Sequence, residues 1–132
     1  MAKWGKVDIR GLKQLQKQLE NSVKQIEQMK LEIANRIADE FLKEVIDRTP
    51  DSDNNQLKKN WKAQVIKSGT GYNIFVSNDL PYASYVEYGH RTEQDGWKQG
   101  YFMLHLTEQD IERKMNNISA PIIDKYLKEI FK

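Results

Sequence analysis

The sequence has no cysteine among its 132 residues, which excludes disulfides, thiolate nucleophiles and cysteine-ligated zinc or iron–sulfur centres. Long apolar runs are missing as well. A run such as Phe102–Leu104 is far too short to span a bilayer, and the opening residues, MAKWGKVDIRG, lack the apolar core of a signal peptide. Charge of one sign is not in excess either: 21 basic residues stand against 19 acidic ones, a net charge of +2. A dedicated duplex binder carries a clear basic excess on one face. Hydrophobic residues make up only 39% of the chain, little for a self-contained globule, and long exposed helices or contacts between subunits would account for it. The length suits one domain over residues 1–132, made and used in a reducing cytosol.

What is present is periodicity. Asp8 precedes Ile9, Leu12, Leu15 and Leu19, whose spacing marks one face of a helix with Asp8 as its N-cap. Asn21 and Ser22 either interrupt that helix or lie on its wet face. Ile26, Met29, Ile33, Ile37, Phe41 and Val45 repeat the spacing, so a long amphipathic helix is expected from about residue 22 to Arg48, stopped where Thr49 precedes Pro50. Residues 50–55, PDSDNN, are turn formers. The period then becomes two: Trp61, Ala63 and Val65 alternate with Lys62 and Gln64, and Tyr72, Ile74 and Val76 with Asn73 and Ser77. With SGTG between them, this predicts a β-hairpin of residues 61–67 and 72–78, Phe75 lying on its second face.

LPYASYVEYGHRT, residues 80–92, holds three of the six tyrosines. A short helix from Pro81 to Tyr88 fits it, capped by Asn78 or Asp79 and stopped by a left-handed Gly89. Tyr82, Tyr85, Val86 and Gly89 then share an inner side, while Ser84, Glu87 and Tyr88 look elsewhere. Residues 89–100 form a polar loop with Trp97 a lone aromatic inside it. YFMLHL, residues 101–106, reads as a third strand, with the first turn of a helix as the alternative. Thr107 and Ser119 would each start a further helix, the last with a stripe of Ile122, Ile123, Tyr126, Leu127, Ile130 and Phe131 and with Pro121 in its first turn. The expected class is α+β: a long N-terminal amphipathic helix and C-terminal helices packed on a small, mainly antiparallel sheet that contains a hairpin.

Little of this carries chemistry. His90 reads as a surface histidine and His105 as a half-buried one; neither has a spaced partner for metal binding. Ser68–Gly71 lacks the lysine of a phosphate cradle and leads into a strand. Glu87, Tyr88 and His90 lie close in sequence, but no nucleophile accompanies them. Lys58, Lys59, Lys62, Lys67 and Trp61 could form a basic, aromatic hairpin for single-stranded nucleic acid. The alternation of Lys62 with core-type residues favours a hairpin's wet face instead.

Several blocks together resemble the tail-completion, or head–tail joining, proteins of the neck of long-tailed bacteriophages and prophages. They are GLKQLQKQLE (residues 11–20), RTP (48–50), NNQLKKNW (54–61), PYASYVEYGHRT (81–92) and GWKQGYFML (96–104). Their order and spacing hold over nearly the whole chain. Asn55 stands where the family usually has glycine, in a loop one residue longer, and asparagine tolerates the left-handed conformation next best. The resemblance implies a structural virion protein rather than an enzyme, with no cofactor and no metal. It implies a ring, a hexamer when assembled, joining the head connector to the tail tube around a channel through which DNA passes without sequence-specific binding. The place is the virion neck, and the host cytoplasm during assembly, with no membrane involved. Tyr82, Tyr85, Val86, Gly89 and Phe102 are then packing residues of the motif. Glu87, Tyr88, His90, Arg91 and Trp97 are the candidates for touching neighbouring subunits. The rival reading is a nucleic-acid-binding accessory protein that uses the basic hairpin.

Overall fold

Neither glycine nor proline occurs between Gly11 and Pro50, and apolar residues recur at three and four throughout. In the computed structural model, which describes residues 9–52, 54–94 and 96–131, this segment is one uninterrupted helix, α1 (Ile9–Arg48). At 1.5 Å per residue it is about 60 Å long. Ser22 does not break it, since its hydroxyl folds back to donate to the Gln18 carbonyl at 2.8 Å. The Asp8 cap lies outside the described residues. Beyond α1, Ser52 and Asn55 close a turn on each other, and Asn55 holds the left-handed conformation (φ 50°) expected of glycine's substitute. A single helical turn follows, α2 (Gln56–Lys59), which buries Leu57 and was not legible as a helix.

The expected hairpin is present as β1 (Trp61–Ser68) and β2 (Gly71–Asn78), antiparallel, with Ala63 opposite Val76 and Val65 opposite Ile74. These four, with Trp61 and Tyr72, lie on the covered face. Phe75 lies on the second face and is more than half exposed. α3 (Ala83–Tyr88) starts two residues later than expected. Asn78 serves the approach to it: its side-chain oxygen accepts from Leu80 N–H at 3.1 Å, and its amide donates to the Leu57 carbonyl at 2.8 Å.

Several expectations fail beyond Gly89. The loop of residues 89–100 contains a second small hairpin, β3 (Gly89–Arg91) and β4 (Trp97–Gln99), with His90 opposite Lys98. No strand forms at 101–106; these residues lead straight into α4 (Met103–Ile130). Met103, Thr107 and Ile111 are its buried positions, a helical spacing that the short apolar run concealed. Thr107 is no cap: its hydroxyl donates to the Met103 carbonyl at 2.6 Å and accepts from Arg48 at 3.0 Å. Ser119 likewise bonds backward to Met115, at 2.9 Å, inside the same helix. Pro121 therefore sits within a continuous helix, where it has no N–H to give the carbonyl four residues before it.

Two elements lie along α1. The core joins Val45, Leu57, Trp61 and Met103, with Phe41, Leu42, Val76, Leu80, Val86 and Leu104 packed around them. Trp61 donates its indole N–H to the buried Thr49 hydroxyl at 2.8 Å. α4 runs antiparallel to α1: Glu32 pairs with Lys125 at 2.9 Å, Glu44 with Lys114, and Arg48 with Asp110 at 3.7 Å. Asp110 also pairs with Lys114 at 3.0 Å. Hydrogen bonds from Lys125 and Lys114, respectively, hold the Glu32 and Asp110 carboxyls below the usual range. Lys114 is pushed above its usual range chiefly by Glu44, and Lys125 by Glu32. The tip of the β1–β2 hairpin reaches α1 at Lys30, which donates to the Thr70 carbonyl at 3.1 Å.

Candidate assembly surface

Glu87 is the pivot of the region that carries the tyrosine motif. It is 6% exposed, although its place in the sequence suggested an outward residue. The start of α4 explains this. Phe102, in the N-cap position, is left-handed (φ 48°, ψ 42°) and offers no side-chain cap. The first N–H groups of a helix need acceptors, and Glu87 supplies them from another element. Its two carboxylate oxygens accept from Leu104 N–H at 2.9 Å and His105 N–H at 3.0 Å. Its backbone carbonyl takes Phe102 N–H at 3.0 Å, and the Val86 carbonyl takes Tyr101 N–H at 2.8 Å. A negative group at the positive end of a helix is favoured electrostatically as well. Glu87 is thus a cap for α4, with its side chain largely covered.

Gly89 ends α3, but not in the left-handed helical conformation. Its φ of 89° and ψ of 172° lie in a region essentially reserved for glycine. A Cβ there would stand 2.5 Å from the Lys98 carbonyl oxygen, and one on Gly100 would stand 2.5 Å from the Tyr88 carbonyl carbon. The base of the β3–β4 hairpin closes only because neither residue has a side chain.

The tyrosines are distributed differently from the expected inner face. Val86 packs against the core, whereas Tyr82 and Tyr85 are exposed, Tyr85 by 58%. The helix is only six residues long, and Glu87 takes the inward direction because α4 requires it. Tyr88, at 64%, and Trp97, at 61%, are exposed as expected, and Arg91 is exposed opposite Trp97 in the strand register. The two histidines exchange their expected settings. His105 is exposed, while His90 is half-buried, with its ring 5.7 Å from that of Tyr85 and a covered Nδ1 without a hydrogen-bond partner. Phe102 is half-buried and meets the edge of His105 at 6.4 Å. Tyr82, Tyr85, Tyr88, Trp97 and Tyr101 are each exposed on or next to α3 and the small hairpin, Tyr85 and Tyr101 lining one cleft and Tyr88 another.

The chemical readings do not gather into a site. Glu87 and Tyr88 line one cleft and His90 another, so the three do not converge. Among the described residues no group of histidine and carboxylate side chains is placed to hold a metal ion. The basic-aromatic hairpin is spent on the fold: Trp61 is buried, Lys58 pairs with Asp51 at 2.6 Å, and Lys62 pairs with Asp79. Trp61 is therefore not available there for stacking. No described helix is long and apolar enough to cross a membrane.

The comparisons with known proteins agree with a structural role. A family model described as "Bacteriophage HK97-gp10, putative tail-component" matches residues 13–89, more than half of the chain. The match takes in most of α1, the β1–β2 hairpin and the tyrosine motif, and stops at Gly89. No curated protein and no solved structure matches the chain. The small hairpin and α4 lie beyond the matched span, yet α4 begins on Glu87, inside it. By the extent of that match the chain belongs to the HK97-gp10-like family of bacteriophage tail components.

Proposed function

We propose that the protein is a structural subunit of the neck of a long-tailed phage, assembling as a ring, a hexamer, that joins the head connector to the tail tube around the DNA channel. Tail-component membership supports the structural class. The observation that carries the reading further is the concentration of exposed aromatic side chains on and beside α3 and the small hairpin, Tyr82, Tyr85, Tyr88, Trp97 and Tyr101. Aromatic side chains are enriched where proteins meet partners, and the nearby Glu87, Tyr88 and His90 do not converge in one cleft. Near-neutral charge suits a channel lining past which DNA must slide.

Deletion and complementation test this, with electron microscopy of the lysates. Without the gene, filled heads and tails should accumulate separately, and the wild-type chain should rejoin them. Tyr88→Ala with Trp97→Ala should fold normally and fail to rejoin them. Joined, infectious particles in the deletion would overturn the reading. Steeply salt-dependent, nanomolar binding to DNA in a filter assay would replace it with a nucleic-acid-binding role.

A further inference from the structure

Of the two described non-glycine residues with positive φ, Asn55 is of a type that tolerates it and Phe102 is not. At φ 48° and ψ 42°, Phe102 holds a left-handed backbone that is strained for a bulky side chain. Such strain persists only where the surroundings impose it. Here they do so through four hydrogen bonds, which tie the start of α4 to the end of α3. Tyr101 and Phe102 donate to the Val86 and Glu87 carbonyls at 2.8 and 3.0 Å. Leu104 and His105 donate to the Glu87 carboxylate at 2.9 and 3.0 Å.

Leu104 and His105 have a second pair of acceptors in their own segment. In an α-helix each N–H bonds the carbonyl four residues before it, and for these two that means the carbonyls of Gly100 and Tyr101. Turning Phe102 from the left-handed to the right-handed helical region lengthens α4 backward and brings those carbonyls into line. Gly100 then becomes the N-cap, a position that glycine fills well. The strain at Phe102 disappears, and the Glu87 carboxylate returns to water, replaced one for one by backbone carbonyls. The cost falls on Tyr101 and Phe102, whose N–H groups join the orphans of a first turn.

We propose that this joint is a two-state latch: closed as seen here, with Glu87 capping α4, and open, with α4 extended through Tyr101 and Glu87 released. The closed state predominates because it keeps the two bonds from Tyr101 and Phe102. The open state lies within reach because the Leu104 and His105 donors find acceptors in both. Opening moves a defined set of residues. Gly100 leaves its place against α3 and the small hairpin, where a Cβ on it would stand 2.6 Å from the Gly89 nitrogen. Tyr101 leaves the cleft that it lines with Tyr85 and His90. The hairpin that carries Trp97 is thereby coupled to α4, and a partner that holds the hairpin away from α4 draws the latch open. The latch is a property of one chain and does not depend on the ring reading.

Amide hydrogen exchange, read residue by residue by NMR, tests this, because opening swaps acceptors for two donors and removes them from the other two. In Glu87→Ala the latch predicts that Tyr101 and Phe102 exchange faster than in wild type, by about tenfold or more. Leu104 and His105 should stay protected by the Gly100 and Tyr101 carbonyls. A fixed cap predicts the reverse, because the backbone acceptors of Tyr101 and Phe102 survive the substitution and those of Leu104 and His105 do not. The melting midpoint falls in both cases, so the exchange pattern decides. Phe102→Gly and Phe102→Ala give a second route with Glu87 intact. Both remove the ring, but glycine is at ease in the left-handed conformation and alanine in the helical one. Exchange at residues 101 and 102 should be about tenfold slower in Phe102→Gly than in Phe102→Ala, the worth of one residue's left-handed strain. Residues 104 and 105 should be protected alike in the two. The reverse pattern in Glu87→Ala, joint loss of protection at all four residues, or equal exchange in the Phe102 pair would overturn the latch.

Discussion

Glu87 shows how a residue placed by its neighbours in sequence can be claimed by a distant element. A buried carboxylate with two backbone N–H donors is a charge-assisted arrangement, and removing it strands both donors. Glu87→Ala should cost about 2–3 kcal/mol, read as a fall in the thermal midpoint. Glu87→Gln, which keeps one acceptor, should fall between. A midpoint unchanged in Glu87→Ala would mean that water caps α4 equally well. Next to it, Val86→Asp puts a charge into the core and should prevent folding. Tyr85→Ala, which the inner-face reading would make damaging, should stay within about 0.5 kcal/mol of wild type because the ring is exposed. Circular dichroism melts of these four variants discriminate the burial pattern residue by residue.

At the scale of elements, α1 and the β1–β2 hairpin were legible because each has a period repeated often enough to identify. The sequence between Gly89 and Leu106 was not. β3 and β4 are three residues each, too short for any alternation to show, and their pairing depends on two glycines eleven positions apart. The start of α4 was misread because its cap is Glu87 rather than a local residue, and because Thr107 and Ser119, which look like caps, spend their hydroxyls on preceding carbonyls. The ion pairs that fasten α4 to α1 were beyond reach, since they join residues some 60 to 90 positions apart. They make a prediction in pH. Glu32 and Asp110 have lowered folded-state pKa values, so their contribution is present above the ordinary carboxylate range and lost as pH falls below about 4. Lys114 and Lys125 have raised values, so theirs is present below about pH 10.4 and lost above it. Thermal midpoints should form a plateau between about pH 5 and 10. The acid fall should shrink in Glu32→Gln and in high salt, because these pairs are exposed. Pro121→Ala should raise the midpoint, by up to about 3 kcal/mol in stability, by restoring a helical hydrogen bond.

For the whole molecule, the low apolar content has a shape as its counterpart. A compact chain of this length would have a radius of gyration of about 14 Å. A helix of about 60 Å, far longer than the radius of such a compact chain, should push that value clearly higher. Small-angle scattering of dilute protein measures it directly. A value near 14 Å would mean that α1 does not run straight in solution.

The facing glycines at 89 and 100 set a rule for variation. They lock the root of the small hairpin so tightly that Gly89→Ala or Gly100→Ala should be lost to misfolding, with no single compensating change elsewhere. At the tip, among the described residues, Thr92 and Gly96 bond to each other. A rigid stem with a free crown tolerates insertion and exchange at the crown without cost to the body. An epitope grafted between Glu93 and Gln94 should therefore leave the fold intact.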